Sequence, residues 1–589
     1  MEYRFREQSD RRGVVSNTHG FLFMDLDGGF SQKWSGYWQP SYKYLDYFAS
    51  KVNGIWLNSE TLEETCYSDK LTMYHSTASL KVEQKIEAPD NMPGFRSTWK
   101  LKNKTEERKA VRLSVETGID IRPRDRDITE GEYSIESSNA GMKISKDERY
   151  IAVSGSRFTF EEEPYTREHY PGEKQVCLVP GEIVLKAELE PGETEEAEII
   201  FKTDGSPSFS VESSESSLKN PELGRTFNCC LESMENLFYS SNGPGIIAGH
   251  PWFQNYWARD SFWTALGLVD AGMFEETRRL LQNFADRDVF PSKIRAAGGE
   301  ETDYPRSDSI PLFALAVEKL DRHAEAPELK KKAEELLEEN RPKEEVVKHD
   351  PEGTWMDTLE RRNAVDIQSL WIEALEKYSL ETGKLREGLQ KFKKEEYVAD
   401  NLGKDFESVN PAVSLMFNQF SQEEAEKYLE KLNGEFSSRY GTRTRSVADP
   451  GYESSGYHTG SVWGLTTCWA AAANLNYGNS DHGRNLLERM TQFLDIDQPG
   501  ALPEVMDAET GRVIGCSEQA WSAGMFVHVV DSYLLGIEVE RDRVVIEPAE
   551  NISATRKSKK VKGTEIDMKV NNGEVEILNE PDLDIEVKN

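Results

Sequence analysis

The sequence predicts a mixed fold: an N-terminal β-sandwich, an (α/α)6 toroid and a short β tail. Three observations predict it. Apolar and polar residues alternate over strand lengths throughout residues 1–205. Helical periodicity then fills 219–537 in roughly a dozen segments, and alternation returns over 538–589. A Ser-rich stretch, 206–218, reads as the linker between the first two regions. At 589 residues the chain exceeds what one core usually serves, which agrees with several domains.

The first region shows its strands in runs such as Gly94-Phe95-Arg96-Ser97-Thr98-Trp99-Lys100-Leu101 and Glu182-Ile183-Val184-Leu185-Lys186-Ala187. Turn clusters break them at Asp25–Gly29, Glu190–Gly192 and Asp204–Pro207, and such spacing suits a large sandwich. The Asp25–Gly29 cluster reads as a hairpin turn in preference to a calcium loop. The helical segments include Glu275–Phe284, Ile310–Leu320, Val365–Tyr378, Glu423–Leu432, Val462–Asn474 and Ala520–Leu535. Two connections, Ile247–Asp260 and Thr442–Trp463, are long and rich in Trp, Arg, Asp, Gly and Tyr, the mark of functional loops. An even number of helices with such loops at one end suits a closed ring, and no repeat of fixed period argues for a solenoid. The tail alternates again at Arg543–Glu547 and Val575–Ile577, predicting a β appendage too polar to fold alone.

Composition excludes several roles. A net charge of −34 argues against a nucleic-acid partner, because phosphate binding needs a basic stripe. The acidity suits either salt adaptation or Glu-rich helices such as Glu334–Glu339. No apolar run approaches the ~20 residues that span a bilayer, so no membrane partner is expected. The charged start, Met1–Arg6, lacks the apolar core of a signal peptide, and a cytoplasmic location is the expectation. Six cysteines without C-x-x-C spacing are expected to be reduced and mostly structural. The nine histidines show no metal-ligand spacing, so no metal is expected. No cofactor is expected either, since Gly243-Pro244-Gly245 follows helical sequence, unlike a dinucleotide loop.

Two acidic segments beside aromatics carry the chemistry: Thr354-Trp355-Met356-Asp357, and Ala501-Leu502-Pro503-Glu504 with Gln519-Ala520-Trp521-Ser522 downstream. Glycosidic hydrolysis needs one carboxylic acid to protonate the leaving oxygen and one carboxylate to activate water. Flat aromatic walls match the apolar faces of a sugar. Two more motifs accompany them. Trp257-Ala258-Arg259-Asp260-Ser261 opens an apolar helix, where the Arg-Asp pair suits either helix capping or hydroxyl binding. Tyr457-His458-Thr459-Gly460-Ser461-Val462-Trp463 opens another, where His458 suits either a core or a pocket.

Together these motifs resemble the amylo-α-1,6-glucosidase part of glycogen debranching enzymes, relatives of glucoamylases. The family's W-G-R-D is matched by Trp257–Asp260, and its T-W-M-D without change by Thr354–Asp357. Val365-Asp366-Ile367-Gln368-Ser369-Leu370 answers V-E-I-x-x-L, and Gly441–Tyr452 answers the G-x-R-(S/T) region that ends in D-P-x-Y. Tyr457–Trp463, Ala501–Val505 and Glu518–Ser522 follow in the same order. Thr459 stands where the family has Gln and Ala258 where it has Gly, which implies altered subsite contacts. No segment resembles the α-amylase-type transferase domain of the bifunctional enzymes.

The resemblance implies an inverting, exo-acting glycosidase that releases glucose from α-1,6 stubs of a glycogen- or starch-like α-glucan or oligosaccharide. It implies Asp357 as general acid, with a pKa raised by burial, and Glu504 as general base. Inverting relatives predict carboxyls ~6.5–9.5 Å apart. Arg259 and Asp260 resemble the groups that bind the terminal glucose, with Asp308 and His458 as further pocket candidates. Trp252, Trp355, Trp463 and Trp521 are expected to offer stacking faces, and Trp257 is a further substrate-binding candidate. Alternatives are a glucoamylase-like α-1,4/α-1,6 glucosidase, a phosphorolytic relative and a glucan-binding protein without activity. Asp at 357, where glucoamylases have Glu, and the Gln-Ala-Trp-Ser match favour debranching.

Overall fold

The structure, a computed structural model, describes residues 2–6, 10–126, 132–138, 141–168, 176–205, 209–298, 306–403 and 406–588. The helical domain explains the rest. Among the described residues it contains twelve α-helices. They are α1 (Gly224–Asn236), α2 (Ala258–Asp270), α3 (Phe274–Ala285), α4 (Ser309–Ala324), α5 (Pro327–Asn340) and α6 (Val365–Lys377). After them come α7 (Gly383–Gln390), α8 (Pro411–Met416), α9 (Gln422–Gly434), α10 (Gly464–Asn476), α11 (Ser480–Thr491) and α12 (Ala520–Val529). The even-numbered helices touch in sequence, and α12 returns to α2, closing an inner ring. The odd-numbered helices lie outside it as an (α/α)6 toroid requires.

Hydrophobic patterning assigns each helix to its layer. The inner α10 and α12 are apolar on nearly every side, and all ten residues of α12 are buried. The outer α3 is two-faced, burying Leu280, Leu281, Phe284 and Ala285 while its Glu275 stays exposed. Inner helices approach closely where side chains vanish. A Cβ on Gly267 of α2 would sit 2.1 Å from the carbonyl oxygen of Gly524 on α12. Gly267→Ala therefore forces two helices of the ring apart, and urea unfolding should show a loss of ~1–3 kcal/mol.

Helix starts differ from the periodicity in one respect. Val462–Trp463 pairs antiparallel with Val505–Met506, so α10 begins two residues later than expected. Gly249–His250 pairs likewise with Gln519 and Glu518, and Tyr256–Trp257 with Ile294 and Lys293. These two-residue ladders tie the loops at the N-terminal ends of the inner helices to one another. After α12 the predicted helix continues only as a π-helical turn, Val530–Leu534.

Among the described residues, the N-terminal region forms two antiparallel sheets, of nine and eight strands. Gly94–Asn103 lies between Leu80–Glu87 and Thr194–Thr203 in the first. Between the sheets, Phe95 and Phe201 stack at 4.4 Å beside Phe48 and Trp99. The outer face of the second sheet brings Val14, Phe21, Phe23 and Trp38 into the core of the helical domain. At Asp25–Gly29 the chain makes a turn: Gly28 N donates to Asp25 O at 3.0 Å, and Gly29 N to Asp27 Oδ1 at 3.0 Å.

Residues 206–208 of the expected linker lie outside the described residues. Further along it, Ser217–Lys219 is a strand, paired with Ser553–Val561 of the tail. That tail strand sends Arg556 and Lys559 into the base of the ring. Arg556 holds Asp531 through two bonds of 2.9 Å, and Lys559 Nζ donates to Asp270 Oδ1 at 2.7 Å. Asp270 ends α2, where a carboxylate meets the negative end of the helix dipole. Lys319 and Lys559 offset that repulsion and hold its pKa well below the usual range despite burial. All six cysteines are buried and free. Among the described residues no helix is long and apolar enough to cross a membrane.

Candidate active site

The predicted site residues gather at one end of the ring, where the inner helices begin. Trp257 precedes α2, Asp308 precedes α4, Trp463 precedes α10 and Gln519 precedes α12. Asp357 sits on the loop before α6, and Glu504 on the loop before α12. Helix N-termini aim N–H groups at this end, an environment suited to oxygen-rich ligands and carboxylates.

Asp357 is exposed to solvent. The walls around it still desolvate its carboxyl and raise its pKa; Arg259 and Arg306 pull the other way, and Asp308 adds to the rise. Its loop is fixed from below by Arg361, which is fully buried. Arg361 Nε donates to Asp400 Oδ2 at 2.8 Å, Nη2 to Asp400 Oδ1 at 3.0 Å and Nη1 to Thr354 Oγ1 at 2.9 Å. It also pairs with Asp366. Asn410, just before α8, donates to Asp400 at 2.6 Å and accepts Trp355 Nε1 at 2.8 Å. The Thr354–Asp357 loop is thus clamped at its first two residues, leaving Asp357 at the surface.

Glu504 has the opposite setting, 2% exposed. Tyr457 donates its hydroxyl to Oε1, and Cys516 N donates to Oε2 at 2.9 Å. Burial lifts its pKa to about 7; the two hydrogen bonds lower it and the nearby Asp357 charge raises it. The two carboxylates therefore feel each other electrostatically. Gly515 makes room for this arrangement, since a Cβ there would lie 2.4 Å from Glu504 Oε2.

Arg259 bonds Asp308, not its sequence neighbour Asp260. Asp260 instead accepts Gln519 Nε2 at 2.9 Å, with a pKa pushed to about 7 by burial and by Glu504, against the pull of Arg259. His458 is buried and neutral: burial, then Arg259 and Arg361, take its pKa down to about 3. Its Nδ1 is 2.7 Å from Thr358 Oγ1, joining the Asp357 loop to the Tyr457–Trp463 segment. Four buried polar atoms of the residues at this end of the ring have no partner among the described residues: Asp308 Oδ1, His458 Nε2, Gln519 Oε1 and Trp521 Nε1.

The aromatic expectation needs correction. Trp355, Trp463 and Trp521 are buried and do not stand as open stacking walls. Trp463 is covered by the stacked imidazole of His458 at 5.3 Å, and Trp355 meets its edge at 5.4 Å. Trp521 closes the other side at 5.8 Å. They make a rigid floor. Trp252 and Trp257 do remain half-exposed. Tyr457 and Gln519, quoted only as parts of motifs, are the groups sequence reasoning left without a role; Asp400 and Asn410 had no local signal at all.

Residues 213–340 match the family described as Amylo-alpha-1,6-glucosidase. Residues 383–522 match the Mannosylglycerate hydrolase MGH1-like glycoside hydrolase domain. Asp357 falls between the two matched stretches. Comparison with curated proteins finds no match. Among solved structures, a bacterial glucoamylase complexed with acarbose is similar in fold, with TM-score 0.58 and 12% identity over 90% of this chain and 95% of that one. A protein from the human microbiome described as a kojibiose phosphorylase gives TM-score 0.59 and 10% identity over 100% and 98%. The structural likenesses show a shared fold, and each of the two family matches spans less than a quarter of the chain.

Proposed function

We propose that this protein is an inverting exo-glucosidase that releases single glucose units from α-1,6 branch stubs of a glycogen-like glucan. The observation that carries the reading is the pair of unlike carboxyls at the N-terminal end of the ring, close enough to influence each other: Asp357 open to solvent, Glu504 buried and hydrogen-bonded. In this reading Asp357 protonates the glycosidic oxygen as the bond breaks. Glu504 takes a proton from the water that attacks the anomeric carbon on the opposite face. The Arg259–Asp308 pair, Asp260 and His458 hold the glucose hydroxyls, which would satisfy polar atoms now without partners. The linkage and the debranching specificity rest on the unchanged T-W-M-D motif and the Amylo-alpha-1,6-glucosidase match.

The test is glucose release from isomaltose, panose and maltose in phosphate-free buffer. Isomaltose and panose should be cleaved well and maltose poorly. Preference for maltose would replace debranching by a glucoamylase-like specificity, and a requirement for phosphate would replace hydrolysis by phosphorolysis.

Tyr457 supplies a pH signature. Its hydrogen bond lowers the Glu504 pKa, so removing it in Tyr457→Phe raises that pKa. Glu504 must be ionised to act, so the acidic limb of the kcat/KM profile should move to higher pH. A limb that stays in place would show that this limb is not governed by Glu504.

A further inference from the structure

The sandwich domain meets the loop before α2. Of the chain's twelve tryptophans, eight are buried in cores. Trp34, Trp56, Trp252 and Trp257 keep part of their surface open. Two of these lie on the loop before α2, and Trp34 reaches one of them from the other domain. The Trp34 and Trp252 rings are 6.2 Å apart at 43°, forming a V across the domain boundary. Ser41 Oγ donates to Asn255 Oδ1 at 3.0 Å and fastens the same boundary.

The V is joined to the reacting groups through the backbone. Just before Trp252, Gly249–His250 pairs with Gln519 and Glu518, and Ser517 N, next to Cys516, donates to His250 O at 3.0 Å. The Cys516 N–H in turn holds Glu504. Cationic groups border the V: the Arg124 guanidinium lies 5.6 Å from the Trp34 ring centre and Lys33 Nζ 5.5 Å from it. Arg124 Nε is buried with no partner among the described residues, a donor left for a ligand oxygen. Half-open indoles beside an unused donor are what a pyranose ring needs: an apolar face to stack on and a partner for its hydroxyls.

We infer that Trp34, Trp252 and Arg124 form a subsite for glucan residues beyond the bond being cut, built jointly by the sandwich and the ring. The inference rests on the proposed glycosidase reading. It adds a substrate feature to it: a branch stub sits on a main chain that continues in two directions, so sugars extend beyond the bond being cut.

The test is equilibrium binding of maltohexaose and of isomaltose, by calorimetry, to Glu504→Gln and to the same protein carrying Trp34→Ala, Trp34→Tyr or Arg124→Gln. Maltohexaose affinity should fall roughly tenfold more than isomaltose affinity in Trp34→Ala and Arg124→Gln, the scale of one aromatic contact. Trp34→Tyr should restore most of it, which a folding defect would not allow. Equal losses for both sugars, or none, would overturn the subsite. Hydrolysis by the wild-type chain is a separate readout: isomaltose cleavage with no change in maltohexaose binding sinks only the subsite, and binding without cleavage sinks only the hydrolase.

Discussion

Glu504→Gln is expected to lower kcat by ~10²–10⁴ while the fold persists. The replacement is nearly isosteric, so it fits the space that Gly515 leaves; its one carbonyl oxygen can accept from the Cys516 N–H while its NH2 donates to the Tyr457 hydroxyl oxygen. What it loses is basicity. Asp357→Asn should cost a comparable factor for isomaltose, because the departing sugar alkoxide needs a proton. It should cost far less for an aryl glucoside, whose leaving group departs without one. Wild-type rates in both variants, with circular dichroism unchanged, would remove both residues from the reaction. Removing the Asp357 charge should also lower the Glu504 pKa, since that charge is one of the influences raising it.

The second large effect is on stability. Arg361→Met leaves Asp366 and Asp400 buried without their cation, and such a loss costs ~3–5 kcal/mol. The clamp also fixes Thr354, so the Asp357 loop should loosen and kcat should fall with stability. Adding Asp400→Asn to Arg361→Met should recover part of the stability, because the amide is neutral and can still accept from Ser408 and Asn410. Urea unfolding of the two variants measures the recovery. No recovery would mean that Asp400 is not the costly orphan.

Much of this arrangement was legible in the chain because its signals are local. The nearly all-apolar stretches of α10 and α12 mark inner helices, and the two-faced α3 marks an outer one. The acidic motifs announce themselves through their aromatic neighbours. The parts that escaped reading depend on residues far apart. Asp400 and Asn410 serve the Asp357 loop only after folding brings α8 beside α6. Ser217–Lys219 reads as linker because its strand partner lies more than three hundred residues downstream, at Thr555–Lys557. Trp463 reads as a stacking face because nothing nearby in sequence shows that His458 covers it. Trp34, in the sandwich, gave no hint that it would meet Trp252.

The claim on which the account turns is that water, activated by Glu504, attacks as Asp357 protonates the departing oxygen in a single displacement. Proton NMR of isomaltose during the first minutes of hydrolysis tests it most directly. The account predicts that β-glucose appears first and only later mutarotates. First appearance of the α-anomer would mean two displacements, and would contradict the roles assigned to both carboxyls.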